Sequence, residues 1–344
     1  NHLYPFINWV ITMHNDLIVI DGLQYSNWNR SIFQQLKDGG VTMVHVTVVY
    51  HEQIRETLLR MGDWNRHFEN NPDLIMPVKS AADILLAKKL GKVGVMFGAQ
   101  NCSPIEDDIS MVEIMRELNL MIMQLTYNNQ SLLACGCYEA EDSGVTRFGK
   151  QVIKEMNRVG MLVDMSHSGE RSTLEAIDIS ERPIVISHAN PNSFHEAKRN
   201  KSDTVLKALG ESGGLLGFSL YPFHLKNGPD CTLDDFCNMV ADTAELIGID
   251  NIGIGTDLCQ EQPLSVLEWM RNGRWSKEMD YGEGSKANAD WPRPLSWFRD
   301  SRDFPNITQG LQDRGFKAED IAKVMGLNWL NLLDKGLKPQ VFKG

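Results

Sequence analysis

Gly160-Met161-Leu162-Val163-Asp164-Met165-Ser166-His167 and Pro183-Ile184-Val185-Ile186-Ser187-His188 end alike, in a short apolar run that closes on an imidazole. A third run, Ile252-Gly253-Ile254-Gly255-Thr256-Asp257, closes on a carboxylate. Between the first two, Ser172 to Ser180 reads as a helix. A strand, a helix and a second strand of that length make a βαβ unit, and such a crossover forces its strands parallel. Both histidines then sit at one carboxyl-terminal sheet edge. In α/β barrels that edge collects catalytic groups, and the opposite one serves stability.

Working outward, strand and helix alternate without a break. Strands are expected at 17–21, 41–49, 93–97, 121–126, 160–166, 183–187, 214–220 and 252–257. Helices fall between them, such as Asn29 to Gly39, Gln53 to Asn70 and Ser80 to Leu90. Eight apolar strands separated by helices give the (β/α)₈ TIM-barrel count, and continuous rather than alternating hydrophobicity suits a sheet buried on both faces. Residues 1–344 read as one barrel domain. Segment 260–305, which holds Trp269, Trp275, Trp291 and Trp297, lacks periodicity and is expected to lie over the barrel mouth as a long loop. An amphipathic helix over 318–333 closes the chain.

A net charge of −11 and a pI near 5.3 argue against a nucleic-acid surface and against anionic membranes. No apolar run approaches the roughly 20 residues of a membrane span. Tyr4 to Met13 is moderately apolar but lacks a preceding basic residue and a following small-residue cleavage site. It reads as an element packed on the barrel rather than a signal peptide. Six cysteines without a CxxC pair read as reduced thiols, and the expected compartment is cytoplasmic. Cys259 either lines the site or is a small buried residue.

Phe148-Gly149-Lys150, the run from Met156 to His167, Ile186-Ser187-His188 followed eleven residues later by Arg199-Asn200, Gly253 to Asp257, and Met325-Gly326-Leu327-Asn328-Trp329 resemble the membrane (renal) dipeptidase family, peptidase family M19. The similarity runs from about residue 17 to 335 in order and spacing. The resemblance implies an amidohydrolase-like barrel and a metallopeptidase that hydrolyses dipeptides with zinc-activated water. It maps the two histidine metal ligands onto His167 and His188, the proton-handling aspartate onto Asp257, and the carboxylate-binding arginine onto Arg199.

The departures matter as much. Asp21-Gly22-Leu23-Gln24-Tyr25 replaces the family's Asp-Gly-His-x-Asp, so Leu23 and Tyr25 stand at ligand positions. Gln100 stands at or near the bridging glutamate, and Tyr127 where a substrate-contacting histidine is expected. Leucine cannot bind a metal, and a neutral amide is a weaker ligand than a carboxylate. The expectation is at most one tightly bound zinc, held by His167, His188 and Gln100. Asp257 is the proton acceptor or, alternatively, a third ligand, and Arg199 and Tyr127 bind substrate.

Other residues keep two readings. His45 either replaces a lost ligand or packs at the core or rim, and Arg199 could be one charge on a solvated face. Asp164 and Ser166 either orient His167 or pack the barrel, while Tyr25, Tyr50 and Tyr127 make an aromatic wall or simply pack. The functional expectation is a metal-dependent hydrolase of a dipeptide or other small amide with a free carboxylate, an N-substituted amino acid in particular. The alternative is a metal-free barrel that binds a small carboxylate ligand or does non-peptidase chemistry. A homodimer is left open by the family's habits.

Overall fold

A computed structural model of the chain describes residues 13–340. All of the Tyr4–Met13 element except its last residue lies outside the described residues. The sheet is parallel throughout, in the order β2-β1-β9-β8-β7-β6-β5-β4-β3, with β2 also pairing β4. Its strands are β1 Ile20–Gln24, β2 Met43–Val49, β3 Ile75–Pro77, β4 Val93–Ala99, β5 Leu120–Gln124, β6 Leu162–Asp164, β7 Val185–Ala189, β8 Leu215–Phe218 and β9 Ile252–Ile254. The β2–β4 pairing closes eight strands into a barrel. The ninth strand, β3, was not anticipated. It has three residues, ends in a proline that lacks an N–H, and lies beside the first half of β4 through Val93 N–H to Leu74 O and Val78 N–H to Val95 O.

Local chemistry sets the helix boundaries. The side chains of Asn29, Ser80, Thr146, Ser202 and Thr232 each accept a first-turn backbone N–H, and Gly91 and Gly160 end their helices in the left-handed conformation. The last expected helix is broken in two. Ala318–Ala322 and Asn328–Gly336 flank a wide turn at Lys323–Leu327. The backbone of Gly326 presses on the carbonyl of Ile18, where a Cβ would collide, and Asn328 Nδ2 donates to the carbonyls of Ile249 and Ile252.

That break directs the C-terminal helix into the barrel floor. Ile20, Met43, Met96, Ile122, Leu162, Val185 and Leu215 supply one side chain from each of seven barrel strands, and Trp329, Leu332, Leu333 and Leu337 pack against them. The Trp329 Nε1–H donates to Ile254 O at 2.9 Å. Gly22 and Gly253 make room for the indole, because a Cβ at either would overlap it. With the amino-terminal end plugged, the barrel opens only at its carboxyl-terminal edge. No helix among the described residues is long and apolar enough to cross a membrane.

Trp329→Ala should therefore destabilise the protein by about 3–5 kcal/mol, the usual cost of truncating a large buried aromatic. Urea unfolding would read this as a lower midpoint with little change in slope.

Candidate active site

His167 lies three residues past β6, His188 is within β7, Gln100 follows β4, and Asp257 lies three residues past β9. All four stand at the open end of the barrel. His188 is turned inward by an irregularity in β7, whose pairing with β8 shifts register between Ile186 and Ala189. There the carbonyl of Ser187 closes on the Cα atoms of Gly217 and Gly255, a packing that any side chain at those glycines would block.

The site centres on three atoms. His167 Nε2 is 3.1 Å from His188 Nε2 and 2.9 Å from Gln100 Oε1. Their surroundings decide where the protons are. His167 Nδ1 is 2.7 Å from Asn128 Oδ1, which can only accept, so the ring proton is on Nδ1. Ser187 Oγ–H donates to Asp164 Oδ2 at 2.5 Å, so it receives the proton of His188 Nδ1, 2.8 Å away. Gln100 Nε2 donates to Thr47 Oγ1 at 2.9 Å and leaves its oxygen facing the imidazoles. Three lone pairs thus converge with no proton between them.

Neither ring relieves this by protonation. Burial holds the pKa of both histidines well below the ordinary value, and the Arg199 guanidinium pushes in the same direction. The donor set fits a divalent cation: two imidazole nitrogens, an amide oxygen, and second partners that fix both tautomers. Among the described residues, no group of three or more His, Cys, Asp or Glu side chains could hold a metal ion. The third oxygen or nitrogen atom beside the two imidazoles belongs to a glutamine, Gln100.

Asp164 has a different role from one of those expected. With Ser166 Oγ and Ser187 Oγ both donating to its carboxylate, it organises the His188 side of the site, and Asn128 orients His167. His45 stays below: its Nδ1 donates to Gly22 O at 2.6 Å, its Nε2 has no partner among the described residues, and it does not line the cavity. His51 bonds the Met270 carbonyl and helps tether the covering segment.

Above the three atoms is a small cavity of about 70 Å³, lined by Gln100, His167, Asp257, Arg199, Tyr25 and Tyr127 among others. Arg199 is buried. Its guanidinium donates to the carbonyls of Ser166 and, at 3.2 Å, His188. The Asp257 backbone is in the left-handed region at φ 58°, a conformation that occurs in non-glycine residues mainly at turns and functional sites. Burial, opposed by Arg199, raises its carboxyl pKa to about 8. Lys201, buried beside Arg199, donates to the carbonyls of Met165 and Ser168. Tyr127 stacks on the His167 ring with centroids 4.2 Å apart, and Tyr25 and Tyr50 continue the wall.

Sequence reasoning missed several lining residues. Arg271, Tyr281 and Glu283 come from the aperiodic segment, where Arg271 donates to Ala289 O and Glu283 accepts from the Arg199 backbone. Tyr221 and His224 come from the loop after β8. Asn128 adjoins Tyr127, and only its polar character at a strand end marked it.

The sequence model of the membrane dipeptidase family (peptidase family M19) matches residues 17–268. The chain belongs to the membrane dipeptidase family. An amidohydrolase from Pseudomonas aeruginosa, known from its crystal structure, is 37% identical and superposes with a TM-score of 0.91, covering 95% of this chain and 99% of that one. The probable dipeptidase PvdM from the same organism shares the fold at 16% identity, with a TM-score of 0.80 over 97% and 98% of the two chains. Dipeptidase tcpJ of Claviceps purpurea is 24% identical over 83% of this chain and 61% of its own length. The chain spans 61–66% of the length of the first curated relatives it matches.

Asn128→Ala should free the His167 ring to take its other tautomer and weaken divalent-cation binding by about 10–100-fold, as loss of such a partner does elsewhere. Competition against a chromogenic chelator measures the affinity, and circular dichroism checks that the fold persists.

Proposed function

We propose that this chain is a metal-dependent hydrolase of the membrane-dipeptidase type, holding one zinc ion and cleaving a small amide that carries a free carboxylate. The observation that carries this reading is the convergence of His167 Nε2, His188 Nε2 and Gln100 Oε1 beside a buried carboxyl and a buried guanidinium. A divalent ion on those donors would supply Lewis acidity and lower the pKa of a bound water.

The protein's own groups do the rest. Arg199 offers a planar fork for a carboxylate, already fixed by two backbone carbonyls. Asp257 takes a proton from the attacking water and returns it to the departing nitrogen. The aromatic wall and the covering segment exclude bulk water, which strengthens every charge interaction within. The cavity is small, which suits a substrate of few atoms, and the neutral residues Leu23, Tyr25 and Gln100 weaken its hold on a free amino group. N-acyl and N-alkyl amino acids therefore fit better than ordinary dipeptides.

A panel assay with added zinc, comparing dipeptides with N-acyl and N-alkyl amino acids, tests the reading. Turnover should favour the N-substituted compounds, and fast hydrolysis of generic dipeptides would refute the narrowed substrate. Elemental analysis should give no more than one tightly bound metal per chain. Arg199→Lys keeps the charge but loses the fork and should raise KM about 10–100-fold, the equivalent of one lost charge-assisted hydrogen bond.

Asp257 must lose its proton to act as the base. Its raised pKa means the active form is gained as pH rises toward about 8 and lost below it. kcat/KM should climb with pH over that range, and a cation on the neighbouring donors shifts the limb to lower pH. Asp257→Asn should lower kcat by about 10²–10⁴-fold and abolish the limb. An unaltered rate in that variant removes Asp257 from the mechanism.

A further inference from the structure

The segment that crosses the barrel mouth is thinly packed. Of residues 261–290 only Leu267, Met270 and Arg271 are buried, and all three line the cavity. The helix that carries them, Leu264–Asn272, sets its backbone closely against no strand or other helix. What it buries covers the site rather than the main core: Met270 belongs to the separate cluster around Tyr25 and Tyr127. Few buried apolar contacts mark a segment that opens locally at little cost.

The cavity beneath calls for such opening. At about 70 Å³ it is less than half the size of a cavity of about 150 Å³ that takes benzene. An N-acyl amino acid has more heavy atoms than benzene, so it enters only when the cover lifts. The backbone turns sharply on either side of the helix. Glu261 is held in the left-handed region at φ 58°, where a non-glycine residue is strained, and Gly273 turns at φ 53° where a Cβ would strike the Trp275 indole.

Three residues of the cover are tied to one short stretch after β2, residues 51–56. Trp269 Nε1–H donates to Glu52 Oε1 at 2.7 Å, His51 Nε2 donates to Met270 O at 3.1 Å, and Arg274 bonds His51 O and pairs with Glu56. Glu52 is a buried carboxylate to which the hydrolytic reading gives no work. Its Oε2 accepts the Tyr50 and His51 N–H groups, and Arg60 pairs with Oε1 at 2.5 Å. Those partners hold Glu52 in place whether the helix is down or up, so lifting the helix breaks one hydrogen bond and leaves the carboxylate paired.

We propose that the helix Leu264–Asn272 is a lid hinged at Glu261 and Gly273, and that Glu52 is the positioning residue that latches it shut through Trp269. When the latch releases, Leu267, Met270 and Arg271 lift from the cavity and admit a ligand. Closure returns them to it and excludes bulk water. The lid serves any ligand of this cavity and so goes beyond the hydrolase reading.

Hydrogen–deuterium exchange on the full chain, with neither metal nor substrate, tests this. Amides of 264–272 should exchange about 10²-fold or more faster than those of the core-packed helix Leu233–Ile247. Trp269→Phe removes the N–H and keeps a ring. It should speed 264–272 a further ~10–100-fold, the equivalent of one charge-assisted hydrogen bond, with Leu233–Ile247 and the thermal midpoint unchanged. Glu52→Gln should act alike, and the double variant should open no further than either alone, as one shared contact requires. Arg274→Met, at an exposed position, loosens the same latch and takes the place of Glu52→Gln if that variant does not fold. Trp275→Phe, in an exposed neighbour, should alter nothing. Exchange of 264–272 no faster than that of Leu233–Ile247 overturns the lid. A Trp269→Phe effect below twofold, or effects that add in the double variant, overturns the latch. Because no substrate is present, these outcomes are separate from success or failure of the hydrolase reading.

Discussion

The lone pair on His167 Nε2 lies about 3 Å from those on His188 Nε2 and Gln100 Oε1, and the three repel unless a positive charge sits among them. The surrounding structure keeps that charge from being a proton. Asn128 and Ser187 each take the far N–H of one imidazole, and burial disfavours an imidazolium. The strand ends, the inward turn of β7 at Ser187 and the glycines that permit it all serve to hold these three atoms together. Such a centre is costly to build without a cation, and that cost is the strongest structural reason to expect one.

The fixed cations around the centre have two effects. Arg199 and Lys201 lie buried on backbone carbonyls from the segments that carry the two histidines. They tie those segments together and keep the imidazoles neutral. They also oppose a second positive charge, so an ion on two imidazoles and an amide must overcome their field. Glu283, which accepts from the Arg199 backbone N–H at the edge of the cavity, offsets part of it. The balance suits one ion and an anionic substrate group close to Arg199.

Much of this was legible in the sequence. Three apolar runs ending in His167, His188 and Asp257, joined by helices, left parallel strands as the economical solution, and parallel strands share one functional edge. Gln100 was singled out only through the family resemblance, as the residue at or near the bridging glutamate. Strand β1 lies at Ile20–Gln24 rather than 17–21, because apolar residues alone do not show where a buried strand stops. The β3 pairing was hidden by its brevity. Glu283 and Arg271 were hidden because they reach the cavity from a segment whose course follows tertiary contacts such as Trp269 Nε1–H to Glu52. Asp164 was noticed, but its partner was not, since the choice between His167 and His188 depends on the register of β6 against β7.

The first strand shows how one substitution can reshape a site. Leu23 is fully buried and clusters with Tyr25, Tyr50, Tyr127 and Met270, so the side of the mouth that β1 faces is apolar and aromatic. An ionic ligand there would need its own hydration replaced by further polar partners, and that wall supplies none except hydroxyls. Asp21, at the base of the same strand, stays because its work is structural. Its carboxylate accepts from Thr256 N–H and Oγ–H and from Gln24, fastening β1 to the turn that carries Asp257. The strand thus keeps the acid that positions the proposed base, and the residue that follows it, Tyr25, lines the cavity. A barrel altered in this way keeps His167, His188 and Asp257 at its mouth and sets an apolar, aromatic wall against them.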